Sequence, residues 1–174
     1  MKTYTITSNY SLSITQMIEL GKFGHVDPFL SIQDWESFPT WDKTSHLVKK
    51  QLALHDPGEI LKAATERGSC IEKVNQQMSD VGLKPARFED LLALGAQYQD
   101  EEICVIPEGQ ARFLSALGST KQTKLPELFG APCLRIGSKG NIEGGRSLME
   151  TLFRDWYLPG HYYVGVVIGS EMVT

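Results

Sequence analysis

The chain has 174 residues, 41% hydrophobic and 22% charged, with 16 glycines and 8 prolines, which excludes a disordered or fibrous chain and suits one globular domain. A formal net charge of -4 and a pI near 5.6 offer phosphate backbones and anionic lipid no general attraction, so no dedicated nucleic-acid binding is expected. The widely spaced Cys70, Cys104 and Cys133 exclude a dense disulfide framework, no apolar run is long enough to span a membrane, and MKTYTITSNY lacks the core of a secretion signal, so a cytoplasmic protein is expected.

From Thr3 to Tyr10 polar and apolar residues alternate, with Tyr4, Ile6 and Tyr10 on one side, which predicts a half-buried strand. Ser13 and Gln16 have the spacing of a capping box, and Ile14, Met17 and Ile18 form the stripe of a short helix that Gly21 and Gly24 would end. A loop carrying Trp35, Pro39 and Trp41 leads to Leu47–His55, whose alternation with one polar face predicts a strand at a sheet edge. Asp56 and Pro57 then signal a helix start, and Ile60, Ala64, Ile71, Val74, Met78 and Val81 keep a helical face up to a stop at Gly82. A further amphipathic helix runs from Phe88 through Leu91 and Leu92 to about Tyr98, ahead of the acidic run Asp100, Glu101 and Glu102.

Beyond this point short strand candidates separated by Gly and Pro dominate: Ile103–Ile106, Arg112–Leu117, Cys133–Ile136, Leu148–Phe153 and Tyr162–Ile168. The order predicts one α+β domain over 1–174, helices packed on a mixed, mostly antiparallel sheet, with a helical half at about 11–100 and a strand-rich half at about 103–170.

The segments LKPARFEDLLALG, ICVIP, APCLRIG and RDWYLPGHYYVGVVIG, with Met17, Ile18 and Gly21 upstream, resemble a group of small bacterial proteins of unassigned function. In that group a capping Thr stands where this chain has Arg87, and the difference implies a weaker helix start. The layout is also similar to the C-type-lectin-like fold, which implies paired terminal strands and a loop-rich binding surface. The EPN, QPD and WND signatures of calcium-dependent sugar binding are missing from the chain, and no calcium is implied.

His161 sits at the start of the last strand candidate, where a loop residue would be exposed; with a nucleophile such as Cys104 and an orienting acid such as Asp155 it would make a general base. Cys104 and Cys133 lie in apolar strand contexts that favour a packed thiol instead. The four histidines lack metal-ligand spacing, and the acid pairs Glu89–Asp90 and Glu101–Glu102 read as solvated helix faces, so neither a metal nor another cofactor is expected.

The run 137–146, GSKGNIEGGR, combines glycines with Lys139 and Arg146 that could hold an anion, although a flexible connection between strands explains it as well. Trp156, Tyr157, Tyr162 and Tyr163 surround Pro159 and Gly160, and one of the two adjacent tyrosines should face outward. The expectation is therefore a non-enzymatic binding module, its surface built from Lys139, Arg146, Trp156, Tyr157, His161 and Tyr163 and its partner another protein. The alternatives are a small Cys/His-dependent hydrolase or transferase and a subunit of a larger, phage-related or other macromolecular assembly, for which Trp35 and Trp41 would stay exposed in the isolated chain.

Overall fold

The computed structural model describes residues 1–27, 32–40, 47–58, 69–104, 106, 108, 110–123, 129–137, 145–153 and 161–173. They form an α+β arrangement around one mixed, mostly antiparallel sheet. Its strands are β1 (Thr3–Asn9), β2 (His25–Val26), β3 (Leu47–His55), β4 (Leu83–Pro85), β5 (Ala111–Ser115), β6 (Lys121–Gln122), β7 (Phe129–Gly137), β8 (Gly145–Phe153), β9 (His161–Val167) and β10 (Met172–Val173). The helices are α1 (Ile14–Gly21), α2 (Ile32–Glu36), α3 (Ser69–Asp80), α4 (Phe88–Gln97) and α5 (Asp100–Ile103). No helix among the described residues is long and apolar enough to cross a membrane.

Strand order is β1-β3-β9-β5-β7-β8-β2, with β4 beside β9 past the end of β5 and β10 continuing β9 along β3 after a turn at 168–171. The alternation that predicted β1 is realised: Tyr4, Ile6 and Ser8 point into the core and Thr3, Thr5 and Thr7 into solvent. The prediction of Leu47–His55 is matched residue for residue, but β3 is not an edge. It lies between β1 and β9, and its inward row includes Lys50, a residue type that makes a buried strand read as an exposed one. The first strand, β1, and the last long strand, β9, are both neighbours of β3 rather than of each other.

Helices cover the two faces of the sheet. On one, α4 sets Leu91 and Leu94 against Tyr4, Ile6, Leu52, Leu114, Leu134, Val164 and Val166. On the other, Val74 and Met78 of α3 pack against Ala53, Leu83, Ala131 and Tyr163. Gly165 permits that approach, since a Cβ there would stand 2.7 Å from Met78 Cε. The apolar side chains of α1 and α4 meet Trp35, Phe38 and Leu148 in a third cluster, which buries Trp35 to 3% exposure.

Local signals explain several of the helix ends. The Ser13 hydroxyl accepts from Gln16 N–H at 3.2 Å while the Gln16 side chain accepts from Ser13 N–H at 2.9 Å, the reciprocal box the spacing predicted. The turn after α1 places its positive φ on Lys22 (46°), not on a glycine. Gly82 ends α3 with φ 77°, as expected, while the start expected at Asp56 leads into 59–68, outside the described residues.

Of the strand expected at Ile103–Ile106, the described residues Ile103, Cys104 and Ile106 belong to no strand, and Val105 lies outside the described residues. The acidic run instead makes α5, whose first turn closes as Glu102 accepts from Gln99 N–H at 2.8 Å and donates its own amide to Gln99 O at 3.0 Å. At the start of α4 the missing capping hydroxyl is supplied from a distance: Phe88 N–H donates to Ser119 Oγ at 2.9 Å, from a 3-10 turn over Leu117–Ser119.

Candidate functional site

Two residues read as solvent-facing carboxylates are interior. Glu89 and Asp90, in the first turn of α4, are 4% and 1% exposed, because that turn packs against one face of the sheet, where Asp90 meets Ser8, Tyr10 and Lys50. Asp90 Oδ1 accepts from Ser8 Oγ at 2.9 Å and Tyr10 Oη at 2.8 Å and pairs with Lys50 Nζ at 2.9 Å, while Oδ2 accepts from Arg87 N–H at 3.1 Å. A carboxylate so surrounded tolerates burial.

Lys50, 1% exposed, also donates to Tyr10 Oη at 2.5 Å and stands 3.4 Å from Glu171 Oε1 in the turn before β10. Burial, with the Asp90 charge next, drives the Tyr10 phenol far above its ordinary value, so it stays a donor to Asp90. Burial alone would raise Glu171, but Lys84, which donates to it, and Lys50 outweigh that and hold the carboxyl below its usual range.

Tyr10 and Glu89 also face a recess of about 240 Å³, completed by Leu12, Ser13 and Ile14 at the start of α1, Glu36 at the end of α2, and Thr40. Its polar lining is rich in oxygen: three hydroxyl-bearing side chains and two carboxylates. Thr15 Oγ1 donates to Glu36 Oε1 at 3.2 Å, and Arg87 Nη1 donates to Thr40 O at 2.6 Å on the side facing α4. Among the described residues no three His, Cys, Asp or Glu side chains gather to hold a metal ion.

On the opposite face of the sheet, Ser115 Oγ and His161 Nε2 are 2.6 Å apart, with exposures of 0% and 3%. His161 is therefore not the exposed loop residue its sequence position implied. As the first residue of β9 it is registered with Phe113, whose ring stacks on the imidazole at 5.9 Å between centres, and the Tyr163 ring centre lies 5.2 Å from it. Burial pushes the imidazole down to about 4, so it is neutral near pH 7.

The register separates the expected site residues. Cys104 packs with the core under α4, whereas His161 and Cys133 lie on the face away from it, so the structure does not bring Cys104 to His161. Asp155 lies outside the described residues, as do Lys139, Trp156 and Tyr157. Arg146, in β8, turns to the α4 face and places its guanidinium carbon 5.9 Å from the Phe23 ring centre. Tyr163 is 3% exposed in the core under α3, and Tyr162 is half-buried on the other face, so neither adjacent tyrosine stands out into solvent. Arg146 therefore does not share a surface with His161 and Tyr163. Gly137 and Gly145 are direct partners across β7 and β8, which makes 138–144 a connection between adjacent antiparallel strands.

The Lys50–Asp90 pair and the recess went unread in the sequence. The one available signal was a lysine on the apolar side of an alternating strand, which is compatible with an internal acid but does not say which one. In comparison with known proteins, the chain matches no family model, no curated protein and no solved structure.

Proposed function

We propose that the protein is a non-enzymatic binding protein that receives a lysine or arginine side chain of a partner protein in the recess beside Tyr10. The observation that carries this reading is the lining: acceptor oxygens of Ser13, Glu36, Thr40 and Glu89 surround a recess with apolar Leu12 and Ile14 at its side. An alkyl stem would lie on those apolar groups and a cationic head would meet the carboxylates. The chain's net charge of -4 favours approach of a basic partner.

Titration of the protein with N-acetyl-lysine amide, N-acetyl-arginine amide and uncharged N-acetyl-norleucine amide, followed by amide chemical shifts, tests the assignment. The basic probes should perturb Ser13, Ile14, Glu36, Thr40 and Glu89, and Glu36→Gln should weaken the response. Equal shifts with the norleucine probe, or none with any, would overturn the reading.

The 2.6 Å contact between Ser115 and His161 favours a second reading, serine-dependent acyl transfer, in which His161 takes the Ser115 proton as Oγ attacks an acyl carbon and passes it to the alcohol or amine that departs when the acyl bond of the substrate breaks. Both groups are sealed from solvent, which supports the binding reading over this one. Labelling of Ser115 in the folded protein by a fluorophosphonate, abolished by His161→Gln, would reverse that order. The assembly reading has less support, because Trp35 is buried against Phe38 and Phe88; Trp41 lies outside the described residues.

A further inference from the structure

Among the described residues, strand β1 begins the sheet and pairs only with β3, so its other side is an edge seven residues long. The devices that usually blunt such an edge are missing from it: TYTITSN contains no charge and no proline, and Tyr, Thr and Ile favour extended pairing. The end of α4 closes part of this edge with side chains. Thr7 N–H donates to Gln97 Oε1 at 3.0 Å and Gln97 Nε2 donates to Thr7 O at 2.8 Å, so the carboxamide occupies both backbone groups as a peptide unit of another strand would. Tyr98 Oη donates to Thr5 O at 2.9 Å, its ring held edge-on to Tyr4 at 5.4 Å between centres.

We propose that the outer edge of β1 is a pairing surface for β1 of a second copy of this chain, held shut by the Gln97 carboxamide and the Tyr98 hydroxyl. An antiparallel pairing about a two-fold axis is self-complementary, and an uncharged strand brings no like charges opposite one another. The groups that Gln97 and Tyr98 cover are those that such a pairing would use. The closed edge keeps the chain monomeric, independently of what the recess binds.

Sedimentation equilibrium across a concentration series tests this with three chains whose fold is checked by circular dichroism. The native chain should remain a monomer, and the double variant Gln97→Ala/Tyr98→Phe should shift toward twice the monomer mass as concentration rises. Adding Thr5→Pro should restore the monomer, because the Thr5 amide points away from β3, on the side of its Tyr98-bound carbonyl, and its loss breaks no bond within the sheet. A folded double variant that stays monomeric, a triple variant that still dimerises, or a native chain already paired would each overturn the proposal.

Discussion

On the α4 face of the sheet Lys50 and Asp90 meet as ions, supported by Ser8, Tyr10, the Arg87 amide and Glu171. On the opposite face Ser115 and His161 meet as neutral groups between aromatic rings. Both clusters are almost fully removed from water, but they reach that state differently. The ionic cluster keeps its charges by bringing donors and acceptors from several elements. The other holds an imidazole that has given up its affinity for a proton. Burial of charge therefore requires long-range partners, while burial of an imidazole requires only that the pH stay above its lowered titration range.

The largest expected effect breaks the ionic side. Asp90→Ala leaves the Lys50 ammonium buried without its closest carboxylate and should reduce stability to urea by about 3–5 kcal/mol. The double variant Lys50→Met/Asp90→Leu should cost less than Asp90→Ala alone. A double variant less stable than that single one would show that the packing of this site, not its charge pairing, sets the cost.

The neutral side responds to pH. In this pair the titrating group is the His161 ring: the unfolded chain binds its proton near the ordinary value of 6.5 and the folded chain only near 4. The contribution of the neutral ring is complete above pH 6.5 and falls away as the pH drops toward 4, by about 3 kcal/mol in all. Urea midpoints measured between these limits should fall more steeply for the native protein than for His161→Gln. Parallel curves would mean that the ring is not buried neutral.

Two smaller effects sharpen the contrast. Ser13→Ala removes one half of the reciprocal box at α1 and should cost about 1 kcal/mol in thermal or urea unfolding. Glu171 borders the ionic cluster but remains partly solvated, so Glu171→Gln should cost only about 0.5 kcal/mol. Because its folded carboxyl sits below the usual range, that difference from native should be present at neutral pH and vanish in acid. A Glu171→Gln loss as large as that of Asp90→Ala would place Glu171 inside the cluster.

Local chemistry made β1, β3, α1 and α4 legible, since each rests on the periodicity of its apolar side chains or, at α1, on a cap within a few residues. The same kind of reasoning misplaced Glu89, Asp90 and His161. Two adjacent acids at a helix start suit solvent as well as they suit a buried lysine, and a histidine after glycine looks like a loop until the neighbouring strand is known. Cys104 was read as part of a strand because ICVI is apolar, but the capping interaction of Glu102 captured the preceding residues for α5.

The amino-acid sequence by itself determined the α+β class, the position of its strongest helices and strands, and which side of β1 enters the core, because those follow from periodicity and nearest-neighbour hydrogen bonding. Tertiary structure alone decided that Lys50 meets Asp90, that Ser115 meets His161 while Cys104 lies across the sheet, and that Gln97 closes the edge of β1. Each of those pairings joins residues at least 40 positions apart in the chain, and strand order and register, which no local pattern encodes, bring them within reach.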